Sequence, residues 1–401
     1  MYTDHTLIIK ELERRIKFNN WNSILSFLPK GSYLVGGYIR DIILGRVTED
    51  VDIDIVVPLN AIEIGKKISR NIKSKLIILD KERQVVRIIH NHISIDIANQ
   101  ISSTIEGDLI SRDFSINSIA FLLDKKLLFD PLNGLKDLEF SLLRTYSEIN
   151  LLNDPLRILR CFRFVSELNF KIDQQLVNFI KKNKEKVYLV AKERINYEIQ
   201  KIVNGENALE AVILVKKFNI FGSDNSYKDS FFLDLQKINY EELNSNEKEK
   251  FLPLFFISQI LDEVSLEKLK FSRAIIVKTK LLRKWHFLLK EKNIAYLNEL
   301  DRFELHQELE MFLPSFIFYL PKNIRLDWLN RWRDKDDKLF HPTNLLNGDV
   351  IKKKLQIKDG PVLGKLLKYL SKELAFKRLN NLDEAIYIAK QWIKQNAPKC
   401  D

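Results

Sequence analysis

The segment YLVGGYIRDIILGRVTEDVDIDIVV, Tyr33 to Val57, limits the possible folds more than any other stretch of the chain. A short apolar run, YLV, ends at two adjacent glycines. A second run, YIRDIIL, has helical spacing and stops at Gly45, and a third alternates acids with β-branched residues. That is the order strand, tight turn, helix, strand. Glycines at such a turn let the backbone come close to a ligand, and the unpaired N–H groups of a helix start suit phosphate oxygens. Gly36 and Gly37 are therefore candidates for a phosphate cradle, with Arg40 adding a cationic fork. Side chains alternate along a strand, so Asp50, Asp52 and Asp54 fall on one face. Crowded anions repel, and a divalent cation relieves the repulsion. Hard oxygen ligands on a rigid strand suit Mg²⁺. An isolated pair of acids would read as a solubility device on an edge strand. The glycine turn ahead of them points instead to metal ligands, Asp50 and Asp52, opposite a phosphate site.

Asp96, in ISIDIANQ, lies in another alternating run, and a neighbouring strand would bring it to the same ion. Carboxylates that clamp metal ions suit in-line phosphoryl transfer, in which a hydroxyl attacks and pyrophosphate leaves. From about residue 31 to 130, short β-branched runs mix with short helical ones, which reads as an α+β domain. After Leu143 the apolar period becomes three and four and strands almost vanish, so the remainder reads as helical. FLPLFFISQIL and MFLPSFIFYLP are too short and too interrupted to span a bilayer, and they read as core helices. Trp328 and Trp332 share a helix face and read as packing residues.

Composition adds bounds. The 401 residues carry a formal charge of +11, which points to a polyanionic partner. Residues 351–401 hold 12 Lys/Arg against 5 Asp/Glu, hence +7. The two cysteines, Cys161 and Cys400, cannot form a disulfide scaffold or a four-ligand zinc site. No leader pattern or long apolar run is visible, so the expectation is a soluble, cytoplasmic protein with no membrane association and no evident stable protein partner.

Further motifs bear a family resemblance. DLISRDFSINSIAF (Asp108 to Phe121), DPLNGLKDL (Asp130 to Leu138), NDPLRILRCFRF (Asn153 to Phe164) and NGDVIKKKLQIKDGPVLGKLL (Asn347 to Leu367) join the Gly–Gly and Asp-x-Asp segment. Together they resemble the class II tRNA nucleotidyltransferase (CCA-adding) and bacterial poly(A) polymerase family. Ser111 stands where the first arginine of its motif is usual, and Asn153 replaces the usual glutamate. The resemblance implies a polymerase-β-like nucleotidyltransferase head with a mixed sheet at 1–143, a helical neck at 144–205 and a helical body and tail at 206–401. It implies transfer of nucleotides from CTP or ATP to the 3′ end of tRNA, gripped by its acceptor and T arm, with Mg²⁺ as cofactor. Asp50, Asp52 and Asp96 would be catalytic. Arg112 would contact the nucleotide, and Asp113 and Asn117 would order the ribose site. Asp154 and Arg157 would read the base, and Arg160 and Arg163 would lie nearer the phosphates. An acceptor carboxylate beside a donor guanidinium matches the edges of cytosine and adenine and mismatches uracil and guanine. Asp154 also reads as a helix cap ahead of Pro155. Glu193 and Arg194 resemble a neck motif that supports the base-reading helix.

Only eleven residues, IANQISSTIEG, separate Asp96 from Asp108. Full CCA-adding members commonly carry a longer loop there, and members that stop after two cytidines resemble this short form. CC addition is the favoured expectation, and full CCA addition is the alternative. Terminal A addition, poly(A) synthesis and a catalytically silent RNA-binding protein rank behind them. None of the six histidines begins an HD dipeptide, so no second hydrolytic site is visible.

Overall fold

The computed structural model describes residues 4–18, 22–46, 51–222, 233–291, 294, 297–343, 348–357 and 360–396. The chain divides into two compact units, Met1–Ile220 and Phe221–Asp401.

The first unit is built on a seven-stranded sheet. Its strands are β1 (Tyr33–Val35), β2 (Val51–Val57), β3 (Lys75–Asp80), β4 (Val85–His90), β5 (Ile93–Asn99), β6 (Ala120–Leu122) and β7 (Leu127–Phe129). Their spatial order is β3-β4-β5-β2-β1-β6-β7. β2 and β5 run parallel and every other pair is antiparallel, so the sheet is mixed as expected. The β-branched alternation explains the strands: Ile53, Ile55, Ile95, Ile97, Val86 and Ile88 are all buried. The helix Ala61–Asn71 packs on β3, β4 and β5, with Ala61, Ile62, Ile64, Gly65 and Ile68 forming its buried stripe. The helix Gly37–Leu44 packs on β2 and ends at Gly45, whose φ of 71° supplies the left-handed stop read from the sequence.

Two further strands, β8 (Leu142–Leu143) and β9 (Lys171–Ile172), pair in parallel as a small separate ribbon. Between them the helix Leu156–Leu168 buries Leu156, Ile158, Leu159, Cys161, Phe162, Phe164 and Val165. The helices Lys192–Asn204 and Ala208–Lys217 pack against it. Cys161 is a buried free thiol, and burial pushes it far above the ordinary thiol range.

The second unit is helical throughout its described residues. Its core is aromatic: Phe255, Phe256, Trp285, Phe303, Phe316, Phe318 and Phe340 are almost wholly buried. The apolar stretches that could pass for membrane segments lie in the helix Ser245–Ile260 and in the short helical turns from Glu310 to Tyr319. No helix among the described residues is long and apolar enough to cross a membrane. Trp328 is buried on the helix Lys322–Arg333, while Trp332 meets Phe251 edge-on and donates Nε1–H to the Glu310 carbonyl. Both tryptophans are packing residues, as expected. A separate cluster of Ile351, Leu363, Leu366, Leu370, Leu374 and Leu379 holds the last helices together.

Candidate active site

Strand register assembles the centre of the site. Asp54 on β2 lies opposite Asp96 on β5, and Asp96 lies opposite Arg87 on β4. One transverse row of the sheet therefore reads Arg87, Asp96, Asp54. Asp52, two residues before Asp54, shares its face. Arg87 clasps Asp96 with both forks, Nε and Nη2 each donating at 2.7 Å, and this bond holds the guanidinium in its charged form. Burial pushes the Asp54 carboxyl up, and the neighbouring charges of Asp96 and Asp52 add to the shift, while Arg112 and Arg87 oppose it. A carboxyl whose charge is disfavoured by burial and by neighbouring acids gains most from a cation at its side.

Among the described residues, no three His, Cys, Asp or Glu side chains converge to hold an ion unaided. Asp52 and Asp54 fit instead an ion that takes one or two carboxylates and fills its remaining positions with water and substrate phosphates, as Mg²⁺ does. Asp50 lies outside the described residues. Asp54, to which the sequence attaches no separate role, lines the pocket with Asp52 and Asp96. The signal for it was present, since it occupies the same strand phase as Asp52.

The glycine turn faces these acids. Gly36 has φ 78°, ψ −141° and sits at the N-terminus of the helix Gly37–Leu44. A Cβ there would lie 2.9 Å from Asp54 Oδ2 and 3.0 Å from Arg112 Nη1. Gly36 is thus required both by its backbone angle and by the approach of an acid and an arginine. Gly37 begins the helix, with the Arg40 guanidinium packed over it.

A chain of hydrogen bonds links the arginines. Asp41 accepts from Arg40 Nε and Nη2, and Arg40 Nη1 donates to Asn117 Oδ1 at 2.8 Å. Asn117 Nδ2 donates to Asp113 Oδ1 at 3.0 Å, and Asp113 Oδ2 accepts from Arg160 Nε at 2.8 Å. Burial alone would raise Asp113. The charge of Arg160 and the hydrogen bonds from Asn117, Arg160 and the Phe114 N–H outweigh burial and hold it well below the usual carboxylate range. Arg163 donates to Glu198 at 3.1 Å, and burial pushes Arg163 down and Glu198 up. Gly36, Gly37, Arg40, Asp52, Asp54, Asp96, Arg112, Asp113, Asn117, Arg160 and Arg163 all line one pocket.

An adjoining pocket, which shares Arg112, Asp113 and Arg160, holds Asp154 and Arg157. Asp154 Oδ1 accepts from the Leu156 N–H, the helix-start cap anticipated for it, and Oδ2 accepts from Arg194 Nη2 at 2.9 Å. Arg157 Nη1 donates to the carbonyls of Ser111 and Asn150, each at 3.0 Å. The two groups thus share a pocket while their present hydrogen bonds run to other partners. Sequence reading missed Arg87, Asp41, Glu198 and Phe164. Of these, Asp41 and Phe164 stood inside quoted motifs, and Arg87 and Glu198 become visible only through register and packing.

These features define a class first: a polymerase-β-like nucleotidyltransferase head followed by helices. Solved structures share the fold. A CCA-adding enzyme in an apo form aligns at 22% identity over 99% of this chain and 98% of its own, with a TM-score of 0.72. The Thermotoga maritima CCA-adding enzyme complexed with tRNA aligns at 24% over 90% and 91%, with a TM-score of 0.67. Residues 32–144 match the Poly A polymerase head domain, and residues 169–222 match the family described as "Probable RNA and SrmB-binding site of polymerase A". A CC-adding tRNA nucleotidyltransferase of Synechocystis sp. is 26% identical, covering 96% of this chain and 97% of that protein. A CCA-adding enzyme of Streptococcus suis is 28% identical over 91% and 93%. Along nearly its whole length the chain is thus similar to tRNA nucleotidyltransferases of the CC-adding and CCA-adding kinds, and residues 32–144 and 169–222 carry the two polymerase A matches.

Proposed function

We propose that this chain transfers CMP from CTP to the 3′ hydroxyl of tRNA, releasing pyrophosphate, and stops after two additions. The observation that carries nucleotidyl transfer is the Arg87–Asp96–Asp54 row with Asp52 beside it, set against a glycine turn and a wall of arginines. Asp52 and Asp54 would hold Mg²⁺, with Asp50 a further candidate from the sequence; the ion would supply charge neutralisation on the phosphates. Asp96, fixed by Arg87, would accept the proton of the attacking hydroxyl. Gly36, Gly37, Arg40 and Arg112 would seat the nucleotide, and Asp113 and Asn117 would order its ribose. Asp154 and Arg157 would read its base, once Arg157 turns from the Ser111 and Asn150 carbonyls and Asp154 from Arg194. In this reading residues 1–143 hold the chemistry, 144–205 carry the base-reading helix, and the basic remainder grips tRNA by shape and phosphate.

The restriction to two cytidines is supported by the short link between β5 and the helix Ile105–Ile110. Residues 100–104 fold tightly: Gln100 donates to the Ser102 carbonyl at 2.7 Å, and Thr104 Oγ1 caps the Gly107 N–H at 3.3 Å. Full CCA addition is the second reading, favoured by the similarity to the Streptococcus suis enzyme along most of the chain. The test is extension of tRNA ending at the discriminator base, with labelled CTP, ATP or both, resolved by single nucleotides. Two additions with both triphosphates present support the proposal, and a third rejects the restriction to CC. No incorporation across several tRNAs and divalent ions would point to a silent RNA-binding protein.

A further inference from the structure

Phe164 lies almost wholly buried in the wall of the first pocket, with three guanidinium carbons around its ring: Arg163 at 4.8 Å, Arg40 at 5.1 Å and Arg160 at 5.6 Å from the centroid. Phe114 meets the same ring at 5.6 Å in an edge-to-face contact. The arginines come from two helices more than a hundred residues apart in sequence, and they converge on this one side chain. Mutual repulsion should drive such cations apart. Each has a carboxylate partner, Asp41, Asp113 or Glu198; Asn117 and Asp113 bridge Arg40 to Arg160, whereas Arg163 pairs outside that chain. The feature shared by all three is the negative face of the phenyl π-system, which attracts cations within about 6 Å.

We propose that Phe164 is the positioning residue of the polyphosphate subsite. Its ring gathers Arg40, Arg160 and Arg163 into one cationic wall, complementary to the triphosphate of the incoming nucleotide. The wall lines the same pocket as Asp52 and Asp54, so phosphates bound on it meet the acids across the cavity. The inference rests on the nucleotidyl-transfer reading above. It concerns phosphate binding alone, so it can fail while that reading stands, and the reverse also holds.

The test uses the full chain with Phe164 replaced by mono-, di- and trifluorinated phenylalanine, which keep the ring's shape while withdrawing charge from its face. Binding of inorganic tripolyphosphate is measured by calorimetry, alongside KM for CTP, KM for tRNA and kcat. Affinity for tripolyphosphate should fall stepwise with each fluorine, by about tenfold across the series. KM for CTP should rise in parallel, more than kcat changes and with KM for tRNA constant. Phe164→Leu should reproduce the full loss, and Phe164→Tyr should restore most of it. Flat tripolyphosphate affinity across the fluorinated series overturns the proposal and leaves Phe164 as apolar filling, even where Phe164→Leu fails to fold. Should the unmodified chain add no nucleotide to tRNA, the calorimetric series still decides the inference, and only the assignment of the reaction falls.

Discussion

The site of the first unit and the aromatic core of the second solve the same problem, buried polarity, in opposite ways. Around Phe164 the chain keeps its charges: Arg160 with Asp113, Arg163 with Glu198 and Arg40 with Asp41 are held paired despite burial. In the second unit, His306 is 1% exposed between Trp328 and Phe340, and among the described residues neither ring nitrogen finds a hydrogen-bond partner. Burial there pushes the imidazole down to about 3, with Arg302 and Arg331 adding to the shift and Asp337 opposing it. In the same unit, burial holds Tyr319 neutral, and its hydroxyl bonds Ser258 and Gln259. Desolvated charges are costly to keep, so a core that has only to pack discards them, while a surface that must meet a polyanion retains them.

Four experiments sharpen that contrast. The largest effect should come from Asp54→Asn, which lowers nucleotide incorporation by about a thousandfold. Its thermal midpoint should hold or rise, because burial disfavours the charge that is removed. Incorporation within tenfold of the parent chain would remove Asp54 from the chemistry. Next, Glu198→Leu leaves the buried Arg163 with the longer Glu167 contact at 3.6 Å in place of its 3.1 Å bond to Glu198, and should cost about 3 kcal/mol in urea unfolding. Adding Arg163→Leu should recover most of that loss while weakening CTP binding. A double variant no more stable than the single would show that the pair is not the unit involved.

The third concerns pH. The unfolded chain protonates His306 near 6.5, whereas the folded chain does so only near 3. The stability it contributes is therefore complete above about pH 6.5 and is lost as pH falls towards 3, at up to about 1.4 kcal/mol per unit. His306→Phe should flatten that part of the stability profile, read by denaturant midpoints between pH 7 and pH 4. An unchanged slope would mean that other groups carry the acid sensitivity. The smallest effect should be that of Gly36→Ala. The left-handed φ and the crowding against Asp54 and Arg112 should cost about 1 kcal/mol. Activity should fall more than stability does, because the displaced atoms belong to the site.

Much of the first unit was legible in the sequence because local rules govern it. The YLV strand, the glycine turn, the helix ended by Gly45 and the acid-bearing strand each follow from neighbours in the chain. What stayed hidden depends on distant pairing. Arg87 gave no sign in QVVRIIH, because its role follows from β4 lying beside β5 in one particular register. Glu198 meets Arg163 only through helix packing. Asp54 was visible on the same strand face, yet the metal was assigned to Asp50 and Asp52. In the second unit, periodicity showed helices but could not show which aromatic rings would enclose a histidine.

The register row has a consequence for how the molecule comes into being. Asp54 and Asp96 are neighbours only after β2 and β5 have joined side by side, with the helix Ala61–Asn71 and the β3–β4 hairpin already looped out between them. Parallel pairing across so long a loop is slow, for it must wait on closure entropy. Competence to bind nucleotide thus dates from a late event in the chain's maturation, and a single-residue slip between those two strands would yield a compact, inert sheet.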